Sequence, residues 1–97
     1  MSTVVRESKV EADIRKYAMA KGWWVAKFTS PGKRGVPDRI FIKNGFVLFI
    51  EIKRPGEKPS QQQIVRMAEM TKYGALTFWV DNVESAKEIF ETYGWED

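Results

Sequence analysis

The chain has 97 residues, 43% apolar and 30% charged, with a formal net charge of +3 and neither cysteine nor histidine. That length supports one domain over residues 1–97 with a modest core, and the balance of apolar to charged residues is that of an ordered globular chain. The two missing residue types exclude disulfides, thiolate sites, histidine-held zinc and histidine-based triads, which leaves carboxylates, lysine, hydroxyls and amides, a set suited to a hard cation such as Mg²⁺ or Mn²⁺.

Ser8 followed three residues later by Glu11 is a capping-box pattern, and Val10, Ile14, Tyr17 and Ala18 then recur at helical spacing until Lys21-Gly22. A first helix is expected over residues 8–21. Trp23 to Phe28, rich in aromatic and β-branched residues, reads as a strand. It runs into Thr29-Ser30-Pro31-Gly32-Lys33-Arg34-Gly35, a basic loop ahead of Asp38. Residues 37–42 and 46–53 are apolar strands around Lys43-Asn44-Gly45, and Asn-Gly between such runs is a strong hairpin signal. Arg54 to Pro59 is a second loop. Ser60 can cap a helix over 61–73, with Ile64, Met67, Ala68 and Met70 expected on its buried side and Gly74 at its end. Ala75 to Val80 reads as a fourth strand, and Asn82 can cap a last helix carrying Val83, Ala86, Ile89, Phe90 and Tyr93. The order αβββαβα predicts an α/β fold, a mixed sheet flanked by helices.

Charge is segregated along this order. Residues 27–58 hold eight Lys/Arg against three acids, while residues 81–97 hold six acids against one lysine. A basic middle suits a passing polyanion, with the acidic C-terminal helix facing away, although two solvated faces would read the same way. No apolar run approaches the roughly 20 residues of a membrane span. Arg6, Glu7 and Lys9 stand where a signal peptide would carry its apolar segment. The expected compartment is the cytoplasm, with no membrane partner.

A hairpin turning symmetrically about Asn44-Gly45 places opposite each other residues whose numbers sum to 89. Asp38 then faces Glu51, and the period of two puts Lys53 on the same sheet face. Two like charges opposed beside apolar neighbours need compensation, and a divalent cation bridging both carboxylates supplies it. The alternative is a cross-strand pair splayed into solvent beside a surface lysine.

Val36-Pro37-Asp38, twelve residues, then Glu51-Ile52-Lys53 resembles the PD-(D/E)xK nuclease motif. With Glu11 in the first helix, Gly35 to Arg39 entering the second strand and Gln63 opening the second helix, nearly the whole chain is similar to a stand-alone VRR-NUC domain of that superfamily. The resemblance implies a restriction-endonuclease-like core. It implies that Asp38, Glu51 and the backbone carbonyl of Ile52 hold Mg²⁺ or Mn²⁺, with Glu11 at the periphery as ligand to a second metal or its water. Lys53 would act on the attacking water and on the phosphate charge, and Gln63 would orient Lys53 or contact the scissile phosphate. Duller readings stand beside two of these: Glu11 only closes the capping box, and Gln63 is one of three consecutive glutamines.

The implied reaction is metal-dependent hydrolysis of phosphodiesters in DNA by an endonuclease. Ser30, Lys33, Arg34, Arg39, Arg54 and Lys58 are the candidate DNA-binding residues, gripping phosphate without reading sequence. The resemblance further implies selectivity for DNA structure, of the Holliday junction resolvase kind, and a homodimer, because symmetric cutting of a four-way junction needs two sites at fixed separation. Strand 75–80 with the following helix is the expected self-association surface, a small monomer with a dense core being the alternative, and the expected setting is the cytoplasm of a bacterium or a phage-infected host. A nuclease for flaps, ends or nicks is one alternative, and a noncatalytic DNA-binding module with the same fold is another. Trp23, Trp24, Phe78 and Trp79 are either base-stacking or core aromatics.

Overall fold

The computed structural model describes residues 7–94. Helix α1 spans Lys9–Ala20, β1 Trp24–Lys27, β2 Arg39–Lys43, β3 Phe46–Ile52, α2 Gln61–Lys72, β4 Leu76–Val80 and α3 Val83–Tyr93. Every expected element is present in its expected order. Their limits are set by caps: Ser8, Ser60 and Asn82 each accept a hydrogen bond from the backbone of the first helical turn, the groups a helix start leaves without internal partners.

The four strands lie side by side in chain order. β1 pairs antiparallel with β2, β2 antiparallel with β3, and β3 parallel with β4, which requires the crossover through α2. In the β2–β3 hairpin, Arg39 opposes Ile50, Ile40 opposes Phe49 and Lys43 opposes Phe46, the register predicted from Asn44-Gly45. Asn44 at φ 51 and Gly45 at φ 84 are both left-handed, as the turn that matches strand twist demands.

Strand alternation then sorts side chains onto two faces. One carries Phe41, Leu48, Ile50, Ile52 and Val80, which form the core with Ile14 and Ala18 of α1 and Ala86 and Phe90 of α3. Phe90 is central, with ring centroids 5.0 Å from Phe41 and 5.2 Å from Trp23. Phe41 is wholly buried, and its truncation to alanine would cost about 3–5 kcal/mol, a large share of the stability of so small a fold. The opposite face carries Ile40, Phe49, Glu51, Thr77 and Trp79. Helix α2 covers part of it, with the hydroxyls of Thr71 and Thr77 2.8 Å apart.

The buried side of α2 differs from expectation. Met67 is buried and Met70 half-buried, but Ile64 is 47% exposed and Ala68 also faces solvent. Periodicity assumed an apolar stripe wide enough to take in all four. The helix instead meets the sheet mainly along the β4 side, so a narrower stripe suffices. No helix among the described residues is long and apolar enough to cross a membrane.

Candidate active site

The carboxylates meet because of the hairpin. Glu51 lies near the end of β3, and Asp38 sits one residue before β2, where the same register places it opposite Glu51. The Asp38 carbonyl accepts the Phe28 N–H at 2.8 Å, so the β1–β2 ladder holds this backbone too. Glu51 is 6% exposed, whereas Asp38 opens to solvent. Lys53, two residues beyond Glu51, is half-buried and brings Nζ to 3.4 Å from Glu51 Oε2.

Electrostatics register the crowding. Burial raises the Glu51 carboxyl above its ordinary value and the charge of Asp38 raises it further, while the Lys53 ammonium and the Asp38 backbone N–H pull it back. Asp38 is raised as well, first by desolvation of its inner side and then by the charge of Glu11, against the opposing pull of Arg39. One lysine thus leaves both carboxylates short of compensation.

Glu11 takes part in two arrangements at once. Its carboxylate accepts the Ser8 N–H at 3.4 Å while Ser8 Oγ accepts the Glu11 N–H at 3.1 Å, closing the capping box. Its other oxygen lies 3.5 Å from Arg39 Nη2, and its charge reaches Asp38. Capping therefore does not remove Glu11 from the site.

Arg39 is placed differently from its expected role on DNA. Its side chain is 7% exposed and its Nη2 pairs with Glu7 at 2.8 Å, so it faces inward beneath the site and not toward a passing phosphate. The reason is strand alternation: Arg39 opposes Ile50, on the core face of the sheet. Arg15 also binds both Glu7 oxygens, at 2.9 and 3.0 Å. Glu7, absent from the sequence-based set, is thus the hub of this network, and its carboxyl is held below its usual range chiefly by Arg15.

Gln63 accepts the Ser60 N–H at 2.9 Å and donates its own N–H to Ser60 Oγ at 3.1 Å, a second capping box. The bond of Lys53 is to Glu51, and Gln63 makes none to it. Sequence spacing marks the helix start here, and the cap alone accounts for where the side chain lies.

The loop before Asp38 is fastened to α2. Arg66 Nε donates to the Arg34 carbonyl at 2.8 Å, and Lys33 lies 3.8 Å from Glu69. At Gly35, φ is 84°, and a Cβ would stand 2.8 Å from the Gln62 carbonyl oxygen. Lys33, Arg34, Arg54 and Lys58 are exposed on the two loops flanking the carboxylates, and Ser30 is half-buried. The 54–59 loop is tied down by Asp81, which accepts the Gly56 N–H at 3.1 Å. Of the four aromatics considered for stacking, Trp23 is core and Phe78 packs against it, while Trp24 and Trp79 are exposed.

Among the described residues, no group of three or more acids is gathered tightly enough to enclose a cation alone. The donor chemistry nonetheless fits a hard divalent ion, since Asp38 and Glu51 present oxygen ligands that repel each other without one. Completing such a site needs the Ile52 carbonyl, water or substrate oxygen.

No family model matches the chain. It is 36% identical over 80 residues to "Putative nuclease p44" of Acyrthosiphon pisum secondary endosymbiont phage 1, covering 81% of this chain and 86% of that one. Among solved structures it superposes on a VRR_NUC domain with a TM-score of 0.73 at 28% identity, spanning 89% of this chain and 99% of the other. A second, a VRR_NUC domain protein at 18% identity, gives a TM-score of 0.64 over 91% and 90% and shares the fold. A nuclease relative matched along most of both sequences, and the same fold found independently in VRR_NUC domains, mean that this chain belongs to the VRR-NUC family of nucleases.

Proposed function

We propose that residues 1–97 form one nuclease unit that hydrolyses phosphodiester bonds in DNA, with Asp38, Glu51 and the Ile52 carbonyl holding Mg²⁺ or Mn²⁺ and Lys53 acting at the scissile phosphate. The observation that carries this reading is the pair of mutually repelling carboxylates with Lys53 at 3.4 Å, on one face of a register-locked hairpin. Nucleases of this fold usually need a divalent metal. When bound, such an ion supplies Lewis acidity toward the phosphate and makes water more acidic. The Lys53 ammonium donates to the attacking water, orients it, and neutralises charge that builds on the phosphate oxygens. Glu11, beside Asp38, steadies the outer side of the site through water or a second ion. Gln63, held by its cap at the start of α2, is placed to contact the scissile phosphate.

Lys33, Arg34, Arg54 and Lys58 grip the flanking backbone, with Ser30 adding a hydroxyl, and none of this reads base sequence. Selectivity then falls to DNA shape. Branched DNA cut by a homodimer, in the manner of a Holliday junction resolvase, fits a small fold that exposes Trp24 and Val47 in one row of the sheet, away from the carboxylates. A phage relative fits work in the cytoplasm of an infected bacterium.

The test is cleavage of four-way, flap, nicked, duplex and single-stranded DNA with and without Mg²⁺ or Mn²⁺. Lys53→Ala abolishes cleavage while largely preserving DNA binding. Undiminished metal-dependent cleavage by that variant refutes the mechanism, and no cleavage of any substrate by the native protein favours a noncatalytic binding module.

A further inference from the structure

Parallel pairing of β3 with β4 sets Trp79 directly beside Glu51 on the same sheet face, with strands about 4.8 Å apart. Lys53, the residue just past the end of β3, lies on the same face diagonal to that indole, its backbone N–H bonded to the Val80 carbonyl at 2.8 Å. Trp79 is 40% exposed, although it stands in a strand next to a buried carboxylate. Among the described residues its ring packs against no other aromatic or cation, and its N–H makes no hydrogen bond. Trp23 by contrast is buried against Phe90, and Trp24 is exposed on β1, at the opposite edge of the sheet. A single exposed apolar residue is ordinary on any protein. What sets Trp79 apart is a part-exposed indole, without aromatic or cationic partner among the described residues, adjoining the groups that would hold a scissile phosphate.

We propose that Trp79 is a stacking platform for a nucleobase of the DNA strand being cut, a binding subsite beside Lys53 and Glu51 that favours substrates offering an unstacked base. The inference rests on the nuclease reading of Asp38, Glu51 and Lys53. A phosphate held at Lys53 brings the base of an adjoining nucleotide within reach of the neighbouring strand, where the indole lies. Bases inside an intact duplex are already stacked and must be extruded at a cost before they can reach it, whereas branch points, flaps and frayed ends present them without that cost. Stacking accepts any base, so the subsite adds preference for structure without preference for sequence. It gives this chain a physical means of discriminating DNA shape that no basic loop provides.

The experiment places 2-aminopurine at successive positions about an unpaired junction and measures its fluorescence and the Kd in Mg²⁺ with protein carrying Lys53→Ala, alone or with Trp79→Ala or Trp79→Phe. Quenching is expected at one or two adjacent positions. Trp79→Ala removes it and weakens binding to unpaired DNA by roughly 5- to 100-fold, the range of alanine substitutions at base-stacking aromatics. Closed-duplex binding changes by less than about two-fold, and Trp79→Phe restores the signal. On the otherwise native protein, Trp79→Ala raises KM for the unpaired substrate with little change in kcat, as lost ground-state binding requires. Unchanged quenching and Kd overturn the proposal, as does equal loss on duplex and unpaired DNA. A shift of Trp79→Ala to a smaller species in size exclusion, with quenching intact, assigns the indole to a subunit interface instead. If the native protein cuts no DNA, the nuclease reading fails, while quenching still decides whether Trp79 stacks on a base.

Discussion

Gly35→Ala isolates the contact that fixes the loop leading to Asp38. The substitution has two costs. At φ 84° an L-residue is strained by about 1–2 kcal/mol. The added Cβ would also stand 2.8 Å from the Gln62 carbonyl oxygen and 3.0 Å from its carbon. Both are helix backbone, which cannot rotate aside as a side chain would, and overpacking of this kind costs about 1–3 kcal/mol. The sum is roughly 2–5 kcal/mol. Gly45→Ala is the matched control: it has the same φ of 84° but nothing within 4 Å of its Cβ, so only the first cost applies. Urea unfolding of the two variants should show a lower midpoint for Gly35→Ala with similar slopes, and in a fold of this size each kcal/mol moves Tm by about 4–8 °C. Cleavage, measured where both variants remain folded, should fall further for Gly35→Ala, because relief of the clash moves the loop three residues ahead of a proposed metal ligand. Equal midpoints for the two variants would refute the reasoning, since the helix contact would then contribute nothing.

Glu51→Gln should stabilise the metal-free protein at neutral pH while abolishing cleavage. Burial and Asp38 raise the Glu51 carboxyl, so the native protein without metal loses stability as pH climbs from the unfolded carboxylate range through the raised folded value, and the amide removes that loss; thermal melts across pH in chelator test it, with Mn²⁺ expected to raise the native Tm and not the variant's. Glu7 behaves oppositely, its carboxyl being held low by Arg15, so its contribution is full above its unfolded value and disappears as pH falls through the folded one. Glu7→Gln should flatten the acid limb of the stability curve, and an unchanged limb would count against the Glu7 network. Ser60→Ala removes the acceptor for the Gln63 N–H and should cost about 1 kcal/mol, read as a shift in the urea midpoint.

Local rules made the helices and the hairpin legible: caps at Ser8, Ser60 and Asn82 and the turn at Asn44-Gly45 are encoded within a few residues, and that turn alone fixes the pairing that sets Asp38 against Glu51. The parallel β3–β4 register was not legible. A crossover helix passes no register from one strand to the next, so the neighbours Glu51 and Trp79 could not be found from the sequence. Arg39 is hidden for a related reason: charge alone groups it with the cations of the basic middle, although the alternation that puts Asp38 outward turns Arg39 inward. Glu7 is hidden for want of any motif, because its three contacts join residues from two elements that only tertiary packing brings together. Exposed Ile64 shows the limit of periodicity, which reports a helix's apolar stripe and not how much of that stripe the sheet can cover.

The fastening of the 30–36 loop to α2, and of β3 to β4, has a consequence for how the chain leaves the ribosome. Asp38, Glu51 and Lys53 emerge first, together with the hairpin that aligns them, but Arg66, Glu69 and the strand beside Glu51 are synthesised afterward. A nascent chain stopped after the hairpin holds its chemical groups without the scaffold that steadies them. On the proposed roles of these residues, competence to cut arrives only once α2 and β4 have followed the hairpin out of the ribosome.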